Sequence, residues 1–152
     1  MSYYYIKKNV SKKEYLFQKY ALQLEFPFVP KIYSYNEKKK ELKMQRIPNM
    51  SIADYYGDNF ENIPEHIIVK IREIIGKLYQ RNIVFPDITA YNFIEYKNKI
   101  WIIDFEHCYY VNQTSSVPFI ENENMGLEDK EINHTFVVDF IEGKKSWNPY
   151  FA

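Results

Sequence analysis

Glycine is scarce in this chain. Its 152 residues include only 4, at Gly57, Gly76, Gly126 and Gly143, so neither a G-x-G-x-x-G fingerprint nor a G-x-x-x-x-G-K-[S/T] phosphate loop can be written anywhere. The usual Rossmann and P-loop readings are excluded, and any bound nucleotide must be held by something other than a glycine-rich loop. Cysteine is scarcer still. Cys108 stands alone, which excludes an intramolecular disulfide framework and a Cys-based zinc knuckle, makes a reducing compartment the expectation and leaves the thiol as an inert, partly buried group. There is no run of about 18 apolar residues, so no membrane span is expected. The start, MSYYYIKKNVSKK, lacks the apolar stretch and small-residue cleavage site of a signal peptide, and a cytoplasmic location follows as an expectation. Net charge is absent as well: 20 Lys and Arg balance 20 Asp and Glu. Neutralising nucleic-acid phosphate needs uncompensated cations, so the net charge does not indicate nucleic acid as a partner.

What is present suits one domain, at roughly 100–150 residues per domain. Tyr3 to Lys7 reads as a strand, and its tyrosines read as core and strand material rather than as a stacking surface for bases. Ser11-Lys12-Lys13-Glu14 has the form of a capping box, in which the serine caps the helix and the glutamate reaches back. Leu16, Tyr20 and Leu24 then recur on one helical face, widened by Phe17, Ala21 and Leu22, until Pro27 and Pro30 end the helix. Val29 to Tyr35 and Glu41 to Ile47 form two antiparallel strands around the turn at 36–40, whose lysines are read as a solvated turn. Ser51 caps a short helical turn. Asn62 with Glu65 repeats the capping-box form, with Pro64 in the first turn. Ile67, Ile71, Ile74, Ile75 and Leu78 mark the strongest helix, Pro64 to Gln80. After the extended run Ile83 to Asp87, Phe93 to Tyr96 and Lys99 to Asp104 form a hairpin turning at Lys97-Asn98. Tyr109 to Asn124 is polar and irregular, and Glu128 to Ile141 is helical.

The hairpin concentrates the chemistry. Its open ends lie side by side, about 5 Å apart. Asn92 enters the first strand and Asp104 leaves the second, so an amide and a carboxylate arrive together, while Asp87, five residues before Asn92, sits on the loop turning over that end. Two carboxylates and an amide oxygen are hard ligands, suited to Mg²⁺ and phosphates rather than to zinc or copper.

At these residues the chain resembles the protein-kinase-like superfamily. Asp87-Ile88-Thr89-Ala90-Tyr91-Asn92 is similar to the D-x-x-x-x-N catalytic loop, and Asp104-Phe105-Glu106 stands in the place of the D-F-G triplet. Phe28 to Tyr33 and Leu42 to Ile47 resemble the fourth and fifth strands of the kinase N-lobe, with Met44 near the gatekeeper and Gln45 to Pro48 as the hinge. Tyr4-Tyr5-Ile6-Lys7 resembles the V-A-I-K strand. The closest likeness is to Bud32-type and other atypical small kinases, in the threonine two residues after the catalytic aspartate, Thr89, and in Glu128-Asp129-Lys130. The chain departs from the pattern in having no glycine-rich loop or its two strands before Lys7, Phe85-Pro86 in place of H-R, and no A-P-E segment, which argues against a switchable protein kinase.

The resemblance implies an α+β, reduced protein-kinase-like fold: a truncated β-rich N-lobe at 1–47 and a shortened, mainly helical C-lobe with a catalytic hairpin at 48–152. It implies Mg²⁺ (or Mn²⁺) with ATP or GTP, and transfer or hydrolysis of the γ-phosphate. Asp87 would take the acceptor's proton, Asn92 and Asp104 would hold the metal, and Lys7 or Lys8, oriented by Glu14, would touch phosphate. Gln45, Arg46 and Ile47 would meet the adenine edge between Met44, Ile94 and Ile103. The alternative is a pseudokinase-like module that recruits a protein partner, a second copy covering the shortened N-lobe, or a tRNA-modifying assembly.

Overall fold

Leu42 and Met44 alternate with the more exposed Glu41, Lys43 and Gln45, and this two-residue period makes a half-buried strand. In the computed structural model, which describes residues 3–24, 28–112, 119–120, 127–149 and 151, that strand is β3 (Glu41–Gln45). It lies between β1 (Tyr4–Lys7) and β2 (Ile32–Asn36) in an antiparallel sheet of order β1-β3-β2. Tyr5 faces Met44 and Lys7 faces Leu42 across the first pair. Helix α1 (Lys12–Leu22) connects β1 to β2. Val10, Leu42 and Met44 form a small core there, with Tyr15, Ile32 and Tyr35 packed around it.

Three expectations change in this part. Tyr4 and Tyr5 are strand, with Tyr3 just before it, but none is core: Tyr3, Tyr4 and Tyr5 are 79%, 44% and 54% exposed, Tyr5 because it lines an open cleft. Ser11 Oγ does cap α1, accepting the Glu14 N–H at 3.1 Å, but the Glu14 carboxylate turns to Lys7 instead of back to the cap. The buried face of α1 is Glu14, Phe17, Gln18 and Ala21, while Leu16 is 45% exposed. Two polar side chains with distant partners displace the apolar periodicity; Gln18 Nε2 donates to Pro30 O at 3.1 Å. Pro27 falls outside the described residues.

The larger part of the molecule packs on α3 (Glu65–Gln80), whose Ile67, Ile71, Ile74, Ile75 and Leu78 are buried as their spacing requires. Each such side chain contributes roughly 1.5–3 kcal/mol on burial. Pro64 is the N-cap rather than a first-turn residue, and Asn62 lies in a 3-10 turn and provides no cap bond. Before it, α2 (Ile52–Tyr56) is capped by Ser51. Strand β4 (Ile83–Val84) follows α3, and the hairpin is β5 (Phe93–Tyr96) with β6 (Lys99–Ile102). Lys97 and Asn98 both take positive φ, 52° and 61°, as a two-residue type I′ turn demands. The segment from Tyr109 is not wholly irregular: β7 (Tyr109–Val111) pairs with β4 and with β8 (Phe119–Ile120). Helix α4 (Leu127–Ile141) closes the core, which includes Val137 and Phe140. Among the described residues no helix is long and apolar enough to cross a membrane.

Beyond α4, Asn148 is fully buried. Its Nδ2 donates to Pro86 O at 2.7 Å and to Asn133 Oδ1 at 2.9 Å, and its backbone N–H donates to Ile88 O at 3.0 Å. The loop carrying Asp87 is thereby held on both sides to α4 and the segment after it.

Candidate active site

Lys7 ends β1 and projects into the space between the N-terminal sheet and the hairpin. Its Nζ donates to Glu14 Oε2 at 2.5 Å and to Asp104 Oδ1 at 3.2 Å, which joins a strand, a helix and the end of β6 in one ion-paired group. Lys8 is exposed and makes no part of that group. Burial alone lowers the Lys7 pKa, but the charges of Asp104 and Glu14, with the hydrogen bonds they accept, outweigh it and raise the ammonium above its ordinary 10.5. Burial pushes the Glu14 carboxyl up, against the pull of Lys7.

A raised lysine pKa contributes stability that is complete below 10.5 and lost as pH climbs through the folded value. In metal-free buffer the wild type is therefore expected to lose stability steeply just above pH 10.5, and Lys7→Met to lose less over the same window. Urea midpoints measured across that window check this.

The residues of the loop from Asp87 to Asn92 are placed by their own backbone bonds. Asn92 is buried, and its Nδ2 donates to Asp87 O at 2.8 Å and lies 3.4 Å from Thr89 Oγ1. Because a carbonyl oxygen can only accept, the amide nitrogen must face inward, leaving Asn92 Oδ1 as the atom for a cation. Ile103 N–H donates to Asn92 O at 3.1 Å, which brings Asp104 beside Asn92 at the open end of the hairpin. Asp104 Oδ1 also accepts the Glu106 N–H at 2.9 Å. Thr89 Oγ1 donates to Asp87 Oδ1 at 3.4 Å. Burial raises the Asp87 carboxyl above its usual range, the Asn92 amide opposes this, and the Asp104 charge adds to it. Cys108 is buried beneath the site with its thiol pKa pushed well up, so it is unreactive.

A cleft of about 370 Å³ opens above these groups. Lys7, Asn92 and Asp104 line one end, and Met44, Gln45, Arg46 and Ile47 line the strand that crosses between the two parts of the molecule. Ile94 and Ile103 form the floor. Glu14 lies behind Lys7 and Asp87 lies below Asn92, neither on the wall itself. Tyr5, Pro30 and Tyr91 also line the cleft, and the sequence reading did not single them out. Tyr5 was within reach of a period-two argument, since it shares a strand face with Lys7.

The donor set fits a divalent cation held with a polyphosphate: one carboxylate and one amide oxygen, the rest supplied by phosphate and water. Among the described residues no three His, Cys, Asp or Glu side chains converge to hold a metal by themselves.

An ion-paired strand lysine, a hinge-lined cleft and a hairpin delivering an amide and a carboxylate define a protein-kinase-like domain. The RIO domain family profile matches residues 1–124, and the chain belongs to that atypical kinase-like family, whose members generally use ATP and a divalent metal. A solved structure it resembles is the Cydia pomonella granulovirus kinase PK-1, with a TM-score of 0.56 at 17% identity over 74% of this chain. The chain spans 45% of the length of that kinase, and the likeness is one of fold.

Proposed function

We propose that the cleft binds ATP or GTP with Mg²⁺ or Mn²⁺ and that the protein transfers the γ-phosphate to an acceptor hydroxyl or to water. The observation that carries this reading is the Lys7 bridge to both Glu14 and Asp104, which ties together residues 97 positions apart at the polar end of an otherwise apolar cleft. Bound metal would neutralise charge on the phosphates. Asp104, by its carboxylate, and Asn92, by Oδ1, are the residues to hold it. Lys7 is placed to pair with phosphate once Asp104 turns to the cation, with Glu14 keeping its ammonium oriented. The backbone of Gln45 to Ile47 offers donors and acceptors to a base edge, and Met44, Ile94 and Ile103 offer apolar faces. Asp87 is the proton acceptor for the attacking hydroxyl. Because phosphoryl transfer is mainly positioning and charge stabilisation, the want of a glycine loop in these residues should weaken binding and turnover without removing the metal site.

Thermal melting with Mg-ATP tests the binding step. At a ligand concentration of about 100 Kd the stabilisation is ~2.7 kcal/mol, which for a chain of this size raises Tm by about 5–11 °C. Asp104→Ala is expected to remove that shift. Failure of both Mg-ATP and Mg-GTP to move Tm, with Asp104→Ala behaving as wild type, would end the reading. A module that binds nucleotide without turnover is the second reading; the seclusion of Asp87 below the cleft wall speaks for it, and release of labelled phosphate by wild type but not by Asp87→Ala speaks against it.

A further inference from the structure

We propose that Tyr5 is the stacking residue of the cleft: its ring lies against the base of the bound nucleotide and makes the site select a nucleoside triphosphate over bare polyphosphate. The inference deepens the nucleotide reading above and rests on it. Tyr5 and Lys7 share the inner face of β1, one strand period or about 6.7 Å apart. Lys7, paired with Asp104, marks the phosphate end of the cleft. Across the ladder Tyr5 faces Met44, about 5 Å away at the backbone, and Gln45 to Ile47 follow directly along the chain. A nucleotide laid along β1 from Lys7 therefore brings its base to Tyr5. The backbone of Gln45 to Ile47 meets that base at its edge, whereas Tyr5 stands on the neighbouring strand and meets a face. Ile94 and Ile103, on the hairpin side of the cleft, meet the other face.

The ring is also unclaimed by the fold. Among the described residues the Tyr5 side chain has no hydrogen bond and no ring contact, although it is 54% exposed and lines the cleft. Other tyrosines nearby are engaged. Tyr91, the second tyrosine of the cleft, donates from its hydroxyl to Asp58 Oδ2 at 3.4 Å. The Tyr4 ring has Lys43 Nζ 4.1 Å from its centre, and Tyr15 stacks on Tyr35 at 4.5 Å. Strand β1 is the edge of its sheet among the described residues, so no further strand there roofs the cleft beyond it. A broad flat ring at that rim gives the base the apolar cover that another strand would otherwise supply. Left half in water the ring adds little to folding; against a planar base it gains both buried area and a stacked contact. Every base offers a π-face, so such a contact separates a nucleotide from base-free polyphosphate and does not by itself separate adenine from guanine.

Calorimetric titration of the whole chain with Mg-ATP and with Mg-tripolyphosphate tests this. Wild type is expected to bind Mg-ATP the more tightly. Tyr5→Ala is expected to weaken Mg-ATP by about 5- to 150-fold, the weight of one base–aromatic stack, and to leave Mg-tripolyphosphate unchanged. Tyr5→Phe keeps the ring and should bind Mg-ATP as wild type does. Tyr33→Ala removes an equally exposed tyrosine from β2, outside the cleft, and should alter neither ligand. Mg-ATP binding indifferent to Tyr5→Ala, or no tighter than Mg-tripolyphosphate binding in wild type, would overturn the proposal and leave the metal and phosphate end of the cleft standing. Equal weakening of both ligands by Tyr5→Ala would make Tyr5 a support for Lys7, and a loss in Tyr5→Phe as large as in Tyr5→Ala would assign the effect to the hydroxyl; either result overturns the stack. Wild type binding neither ligand would end the nucleotide reading itself, and this inference with it.

Discussion

Asp87→Asn is expected to lower the rate of phosphate release or transfer by about 10²- to 10⁴-fold, the usual weight of a positioned general base, while leaving the Mg-ATP melting shift intact. The split follows from where Asp87 sits. Its main-chain oxygen holds the Asn92 amide, a bond that the asparagine variant keeps. Its carboxylate is outside the cleft wall, so the proposed nucleotide binding is not expected to depend on it. The substitution keeps size and shape while removing the negative charge and with it the capacity to accept a proton. Single-turnover and melting measurements on the same preparation decide the matter: loss of both together would place Asp87 in binding, and loss of neither would remove it from the chemistry.

Asn148→Leu is the second large effect. The leucine has as many side-chain heavy atoms as the asparagine, though it is bulkier, and it cannot donate, so Asn133 Oδ1 loses the Asn148 donor and Pro86 O loses one of two donors, the other being Ile88 N–H. Two buried hydrogen bonds lost and a buried acceptor left short of a donor cost about 2–4 kcal/mol in all, a fall in Tm of about 4–16 °C for a chain of this size. The stability loss alone would follow from any buried network. The further expectation is kinetic. Pro86 and Ile88 flank Asp87, so at a temperature where the variant is folded kcat should fall while the KM for Mg-ATP holds, because the cleft wall is untouched. Equal change in both constants would mean that Asn148 supports the fold and nothing more specific.

The site was more legible in the sequence than the face of the helix beside it. A hairpin with a two-residue turn places its open ends by geometry alone, so Asn92 and Asp104 could be brought together from spacing, and Asp87 by the shortness of the loop. The isoleucine stripe of α3 was equally plain. Helix α1 was not: Glu14 and Gln18 are buried because Lys7 and the Pro30 carbonyl meet them, and no local period reveals partners outside the helix. Tyr3 to Tyr5 look like core by composition and are exposed, Tyr5 because its face of β1 lines an open cleft. Tyr109–Val111 lacks a strong local signal and is a strand because β4 waits for it. Asn148 carried no signal at all; a lone asparagine before a proline is ordinary turn material until its distant acceptors are seen.

The pairing of Val84 with Tyr109 has a further consequence. It ties off the chain at the base of a closed loop, and Asp87, Asn92 and Asp104 all lie between those two residues. A segment sealed in this way is expected to open as a unit, so amides along the loop should share one opening free energy in hydrogen exchange, distinct from that of the N-terminal sheet. The oxygens of Asp87, Asn92 and Asp104 would then be brought together and lost together, independently of Lys7 and Glu14 on the N-terminal sheet and helix.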